Sequence, residues 1–289
     1  MYGPLLEALR GVQWPSRRPV GGALPGTHQS RLRGSAPELS EYRPYRQGDD
    51  PRRLDWKLLA RSDRAYIRLA DDHSVLATTI VVDASTSMAF PPATLAKWRT
   101  ACALAVGLAA VAHAGGDPVG LIVAAPEGMR HLPPRSRRDV IGEMARTLDA
   151  MTPGGSTPLA PALAAVRPRT RVAVVSDLLG DADALRRAAG ELAAAGSEVH
   201  LVHVVADAEL DPGGRAILAT DPEDARVARP LVGDARREYT EAFAAWREAL
   251  QRDWQGPGLS YALVTDGESV ARAVRRLAGT ARVRVEVGS

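Results

Sequence analysis

From residue 76 onward, short apolar runs rich in β-branched residues alternate with longer segments that have helical periodicity. Strands that alternate with helices of this length form βαβ units, in which the strands are parallel. Runs such as 79–82 (TIVV) and 172–175 (VAVV) have no polar face, so we expect helices to cover both sides of the sheet. The sequence therefore predicts an α/β fold with a doubly wound, mainly parallel sheet flanked by helices. The predicted strands are 77–82, 119–124, 171–176, 198–205, 259–264 and 281–287, and the predicted helices are 93–114, 135–151, 158–166, 181–195, 235–253 and 267–278.

Three parts of the chain differ in composition. Residues 1–35 are rich in Gly, Pro and Arg, which predicts a flexible or loosely packed N-terminal arm apart from a short helix at Pro4–Leu9. Residues 36–75 combine polar and aromatic side chains and end in a predicted strand, Ala65–Leu69. Residues 76–289 hold the alternating segments, interrupted at about 207–234 by a predicted hairpin insertion around a polar turn.

Oxygen-bearing side chains follow two of the predicted strands. Asp83, Ser85 and Ser87 follow the first strand of the alternating region, and Asp177 follows the third. Thr157 lies between them in a glycine-rich loop, TPGGSTPLAPAL. Ligands of an open parallel sheet bind at the carboxyl ends of the strands, near a topological switch point. Carboxylate and hydroxyl oxygens suit Mg²⁺, with Mn²⁺ or Ca²⁺ as substitutes, so the sequence predicts a metal site at this edge.

Two alternatives apply to this set of residues. An isolated Asp-x-Ser-x-Ser after a strand is also typical of turns and helix caps, because Asp and Ser favour both. The loop reads Gly-Gly-Ser-Thr, so Ser156 or Thr157 could supply its hydroxyl. The match of three segments to one sheet edge favours metal binding over capping.

The five residues and their order resemble the metal-ion-dependent adhesion site of von Willebrand factor A domains. In that family the two serines bind the metal directly, while the threonine and the aspartates bind directly or through water. The resemblance implies these roles for Asp83, Ser85, Ser87, Thr157 and Asp177. The loop departs from the family's usual Gly-Gly-Thr, so Ser156 could compete with Thr157, although the spacing to Ala162 and Leu163 favours Thr157. It also implies that an Asp or Glu carboxylate from a protein partner completes the coordination of the metal.

The preceding segment, YRPYRQGDDPRRLDWKLLARSDRAYIRL, resembles the signature of a bacterial family catalogued as domain of unknown function 58. The resemblance covers about residues 35–289. It implies a cytosolic protein that is often paired with a MoxR-type AAA+ ATPase and acts as an adaptor or co-chaperone in assembly or metal insertion. The partner would be that ATPase or its client.

Two other functions remain as alternatives, and the sequence disfavours both. A Mg²⁺-dependent hydrolase or phosphotransferase needs a base or nucleophile beside the metal, and the neighbours here are Ala84, Thr86 and Met88. Nucleic-acid binding could use residues 1–70, which hold 13 Lys and Arg against 7 Asp and Glu, with interleaved aromatic side chains. The overall net charge of +3 is small, however, and acidic residues are mixed into this segment. We therefore expect a protein that is not an enzyme and does not bind nucleic acid.

The arginines around Trp56 allow two interpretations. A salt-bridge network with Asp49, Asp50 and Asp55 is the simpler one, and partner contacts through Arg52 and Arg53 are the alternative.

The apolar stretches predict no membrane span. The longest, at 101–112, is shorter than the ~20 residues that a spanning helix needs, and the N-terminus lacks an apolar signal core. The single cysteine cannot form an internal disulfide. We expect a cytoplasmic protein.

Overall fold

The computed structural model describes residues 2–16, 25–29, 40–45, 54, 56–62, 64–70, 73–213, 218–220, 228–230 and 233–279. Its contacts divide the chain into two compact units. Met1–Arg17 and Ala77–Ser289 form the larger unit, and Arg18–Leu76 form the smaller one. In chain order the elements are α1 (Gly3–Ala8), β1 (Pro25–Gln29), β2 (Ser40–Pro44), α2 (Trp56–Ser62), β3 (Tyr66–Ala70), β4 (His73–Ser74), β5 (Thr78–Asp83), α3 (Ala96–Ala114), β6 (Val119–Ala125), β7 (Gly128–Arg135), α4 (Val140–Asp149), α5 (Ala160–Ala164), β8 (Arg171–Ser176), α6 (Ala182–Ala194), β9 (Glu198–Val205), α7 (Asp207–Leu210), β10 (Leu218–Thr220), β11 (Ala228–Pro230), α8 (Asp234–Asp253), β12 (Leu259–Thr265) and α9 (Val270–Gly279).

The larger unit is built on a six-stranded sheet with the order β12-β9-β8-β5-β6-β7. All neighbouring pairs are parallel except β6 and β7, which are antiparallel. Counted along the chain, this is the doubly wound order 3-2-1-4-5-6, with its switch point between β5 and β8. The predicted α/β class and mainly parallel sheet are confirmed.

Helices cover both faces of this sheet, as the continuous apolar runs in its strands predict. On one face, α1, α3, α4 and α9 pack against Ile80 and Val82 of β5. On the other face, α5, α6 and α8 pack against Val81 of β5 and Val174 of β8. Alternate residues of one strand therefore enter two separate apolar clusters, and every residue of β5 and β8 is buried.

The structure agrees with the predicted strands that lie in its described residues and with the predicted hairpin. Five of the six strands are confirmed, and the sixth, 281–287, lies outside the described residues. The predicted hairpin is confirmed by the antiparallel pair β10 and β11. Strand β7 was missed because seven of its eight residues are exposed and two are prolines, so it lacks the apolar pattern of a buried strand.

Residues 2–16 differ from the predicted loose arm. Helix α1 forms at the predicted position, and Leu9 and Trp14 behind it are 5% and 4% exposed. Gly107 in α3 makes room for this segment, since a Cβ there would lie 3.2 Å from Leu9 Cδ1 and 3.0 Å from Val274 Cγ2. Burial of these two large apolar side chains makes the segment part of the larger unit. Most of the remaining predicted arm lies outside the described residues.

A buried polar cluster holds this segment at the amino ends of the strands. Arg171, fully buried, contacts Asp117 at 3.2 Å and Glu198 at 3.6 Å. Its guanidinium donates to the Trp14 carbonyl at 2.8 Å and lies 4.4 Å from the Trp14 ring. Ser16 donates to Glu198 at 2.6 Å. The cluster thus joins the N-terminal segment to β8 and β9.

The cluster predicts acid sensitivity. Burial alone would raise the pKa of Glu198, but His200, Ser16 and Arg171 outweigh it and lower that pKa to about 2, from 4.5. Between these pH values the unfolded chain binds more protons at this site, so the stabilisation is complete above pH 4.5 and declines as the pH falls towards 2. We expect Glu198 to contribute about 3 kcal/mol to the loss of unfolding free energy in acid. Urea unfolding from pH 6 to 3 should show a shallower decline in E198Q than in wild type. The exposed control E191Q should follow wild type, and equal slopes in all three proteins would refute the prediction.

The smaller unit contains two antiparallel strand pairs. β1 pairs with β4, and β2 pairs with β3, which confirms the strand predicted at 65–69. Helix α2 lies between β2 and β3 in the chain. Its first residue, Trp56, is 64% exposed, whereas Arg52 and Arg53 lie outside the described residues.

Candidate metal site

The predicted site lies at the switch point of the sheet. Asp83 is the last residue of β5, and Asp177 directly follows the neighbouring strand β8. The chain leaves β5 towards α3 on one face and leaves β8 towards α6 on the other. The two strand ends therefore diverge and leave their polar side chains at a common edge, as in other doubly wound sheets.

Asp83 is 5% exposed, and both of its carboxylate oxygens accept hydrogen bonds. Oδ1 accepts from the Ser85 backbone N–H at 2.9 Å, and Oδ2 accepts from Ser176 Oγ at 2.6 Å. Burial first, and then the negative charge of Asp177, raise the pKa of Asp83, although its hydrogen bonds act in the opposite direction. Two buried carboxylates that repel each other favour a shared cation.

Ser85 and Ser87 place two hydroxyl groups side by side. Both side chains are buried, and their Oγ atoms lie 3.0 Å apart. A short 3-10 turn, Thr86–Ala89, begins between them and brings alternate residues to the same side. In an octahedral shell with metal–oxygen distances of about 2.0–2.1 Å, neighbouring ligand atoms lie about 2.9 Å apart. The two hydroxyls are hydrogen-bonded to each other, and the same separation is also compatible with adjacent Mg²⁺ ligands.

Backbone hydrogen bonds join the glycine-rich loop to the segment after β5. Gly154 N–H donates to the Ala84 carbonyl at 2.8 Å, and Thr86 N–H donates to the Gly155 carbonyl at 2.9 Å. Gly155 adopts a φ of +63°, a conformation that favours glycine. Thr157 is half-buried, and its hydroxyl donates to the Ala125 carbonyl at 2.8 Å. The lone pairs of the Thr157 hydroxyl oxygen remain as acceptors. Ser156, in contrast, is exposed. These placements favour Thr157 over Ser156 as a ligand.

Asp177 has a partner that the sequence analysis missed. The Lys97 ammonium lies 2.6 Å from Asp177 Oδ2 and 2.8 Å from Glu209 Oε1, and its side chain is fully buried. The signal for Lys97 was its spacing, because it shares a helical face with the buried residues Ala101, Leu104 and Leu108. Glu209 gave no comparable signal, since it lies in the stretch interpreted as an insertion.

The turn after β8 is strained. Leu178 has a φ of 61°, in the left-handed region, and its side chain is 3% exposed. Its N–H donates to Ser176 Oγ at 3.0 Å, and the next N–H, of Leu179, donates to Asp177 Oδ1 at 3.3 Å. A bulky residue in this region costs about 1–3 kcal/mol and persists where surrounding contacts impose it, often at functional sites. The two hydrogen bonds across this turn help to hold the Asp177 carboxylate in place.

The donor set fits a hard divalent cation. Across the described ranges, no group of three or more His, Cys, Asp or Glu side chains is arranged to hold a metal ion. A metal here would therefore depend on the serine and threonine hydroxyls as well as the two aspartates. Neutral hydroxyls with few carboxylates are compatible with Mg²⁺, which usually keeps some of its waters.

The family of this chain follows from its sequence. The sequence model of the family described as "Protein of unknown function DUF58" matches residues 41–249, more than half of the chain. The chain belongs to this family. The match includes the whole signature segment before β4 and both strand ends of the candidate site, so the resemblance to this family in the sequence is confirmed.

Two mycobacterial proteins resemble this DUF58 chain along nearly its whole length. They are "Uncharacterized protein Rv1480" of Mycobacterium tuberculosis (strain ATCC 25618 / H37Rv) and "Uncharacterized protein Mb1516" of Mycobacterium bovis. Each is 32% identical over 289 residues, which covers 96% of this chain and 90% of the relative.

Solved structures with a similar arrangement are more distant from this DUF58 protein. The conserved hypothetical protein BatB from Bacteroides thetaiotaomicron is 18% identical over 71% of this chain and 98% of its own, with a TM-score of 0.46. The SpRpn10 VWA domain is 12% identical over 70% of this chain and 94% of its own, with a TM-score of 0.39. Likenesses at this level carry no information about function.

The described part of the DUF58 chain contains no helix with both the length and the apolar character that crossing a bilayer requires.

Proposed function

We propose that this protein is a non-enzymatic, metal-dependent protein-binding module. In this proposal a Mg²⁺ ion is held by Asp83, Ser85, Ser87, Thr157 and Asp177. When bound, the ion supplies an electrophilic coordination position that a partner's Asp or Glu carboxylate can occupy. A MoxR-type AAA+ ATPase or its client is the partner that the family resemblance suggests, and the role would be that of an adaptor.

The observation that carries the proposal is the convergence of two buried carboxylates and two adjacent hydroxyls at the switch point. Asp83 is held by Ser85 N–H and Ser176 Oγ, so its orientation is fixed before any ligand arrives. The 3.0 Å separation of Ser85 Oγ and Ser87 Oγ matches neighbouring positions around Mg²⁺. A site whose ligands are already oriented loses less conformational entropy when it binds.

The surroundings of the site support binding rather than catalysis. His203 lies at the carboxyl end of β9, where burial lowers its pKa to about 4, and its ring bonds to the Tyr261 hydroxyl at 2.8 Å. Lys97 is committed to two carboxylates. Both basic side chains interact with Asp177, and neither is placed as a free general base.

Calorimetric titration of Mg²⁺ and Mn²⁺ into the metal-stripped full chain tests the proposal. We expect saturable one-site binding to wild type and its loss in D83N, because Asn keeps the size of the side chain but removes one of the two charges. D183N, which changes an exposed carboxylate in the first turn of α6, should bind like wild type. Equal binding by D83N and wild type, or no binding by wild type, would contradict the proposal.

A further inference from the structure

The buried ammonium of Lys97 lies at the edge of the candidate metal site. Lys97 is in the first turn of α3, and its backbone N–H donates to the Phe90 carbonyl at 3.1 Å. The ammonium lies 2.6 Å from Asp177 Oδ2 and 2.8 Å from Glu209 Oε1, two anionic partners of the kind that a lysine this deeply buried needs.

Lys97 and a metal ion would share one carboxylate. Asp177 Oδ2 contacts the ammonium at 2.6 Å, while Asp177 Oδ1 accepts a longer bond, 3.3 Å, from Leu179 N–H. The Oδ1 atom is thus the less committed oxygen, and the ion pair fixes the plane of the carboxylate. A cation bound at Asp177 would be repelled by the positive charge of Lys97, which contacts the same carboxylate. This repulsion would weaken the binding of the cation.

Glu209 is the second anionic partner of Lys97. Its Oε1 accepts from Lys97 at 2.8 Å, and its Oε2 accepts from Ala206 N–H at 2.7 Å, which orients the carboxylate towards the lysine. With all groups ionised, three carboxylates and one ammonium give the cluster a charge of about −2, complementary to one divalent ion. Glu209 therefore adds to this charge without being a ligand.

We propose that Lys97 is a positioning residue of this metal site, which orients Asp177 and weakens the binding of a divalent cation. Glu209 opposes it by drawing the ammonium away from Asp177. This inference rests on the proposed function, since it assigns roles at the same site. The site would then bind its metal reversibly. Its affinity would depend on how the Lys97 ammonium is shared between the carboxylates of Asp177 and Glu209.

Variants that change the cluster charge in opposite directions test this role. K97M makes the cluster one unit more negative, and E209Q makes it one unit less negative. K97M/E209Q restores the wild-type charge. Mn²⁺ alone is titrated calorimetrically into each metal-stripped full-length protein at pH 8. We expect K97M to bind about tenfold tighter, E209Q about tenfold weaker, and the double variant within about threefold of wild type.

Opposite shifts separate this role from a structural one, because a merely disrupted site would bind less tightly in both single variants. As a second readout, Mn²⁺ should raise the Tm of K97M by more than it raises the Tm of wild type. If K97M does not fold, K97Q, which also removes the ammonium, takes its place, and affinity equal to or weaker than that of wild type in this variant overturns the inference.

The outcomes also distinguish the two proposals. Binding by wild type without a gain in K97M overturns the role of Lys97 and leaves the metal site intact. Binding by K97M but not by wild type supports Lys97 as an internal competitor of the ion and overturns the proposed function, because the wild-type site then holds no metal. Absence of binding in both proteins overturns both proposals.

Discussion

Arg171→Met will lower the free energy of unfolding by about 3–5 kcal/mol, the cost of breaking a buried ion pair by removing one partner. Met matches the length of the arginine stem but leaves the buried carboxylates of Asp117 and Glu198 without the guanidinium. It also removes the donor to the Trp14 carbonyl. Urea unfolding of the purified full chain at pH 7 measures the effect.

Arg187→Met is the matched control for this change. Arg187 is exposed on α6, so its substitution should change the unfolding free energy by less than about 0.5 kcal/mol. A similarly small effect in R171M would show that the buried cluster does not stabilise the larger unit.

Trp14→Ala will destabilise the larger unit by about 3–5 kcal/mol, as large-to-small changes of buried tryptophan do. Trp14 is 4% exposed and packs against the Arg171 guanidinium and the His200 ring, whose centroid lies 5.2 Å away. The loss follows from the cavity and from exposure of Arg171 to water. Thermal and urea unfolding of W14A report this loss directly.

Trp56→Ala supplies the comparison, because Trp56 is the same residue type at 64% exposure. We expect W56A to remain within about 0.5 kcal/mol of wild type. The W14A/R171M double variant should lose less than the sum of the single losses, since the two side chains are in contact. Equal effects of W14A and W56A would restore the prediction of a loosely packed arm.

The central fold followed from local patterns in the sequence. Strands with a continuous apolar run, such as β5 and β8, are stable between two layers of helices, and their alternation with helices implies parallel pairing. Strand β7 lacked this signature because an edge strand needs no continuous apolar run. The docking of residues 2–16 was missed because it depends on the non-local contacts of Leu9 and Trp14, which Gly- and Pro-rich composition conceals.

The candidate site likewise combines residues that the sequence predicted with residues that it did not. Asp83 and Asp177 were predictable as neighbours because they end adjacent parallel strands. Lys97 and Glu209 reach Asp177 from α3 and α7, and such contacts depend on helix rotation and loop course rather than on strand order. The lysine at the start of an apolar helical stripe was nevertheless a readable signal of a buried cation.

Crystals of the full chain grown with MnCl₂ would test the metal site most directly, through an anomalous difference map recorded near the manganese absorption edge. The proposed site predicts one strong peak within about 2.0–2.3 Å of both Ser85 Oγ and Ser87 Oγ, on the side of Asp83 and Asp177. A map without a peak at this switch point, from crystals in which the edge is open to solvent, would contradict it.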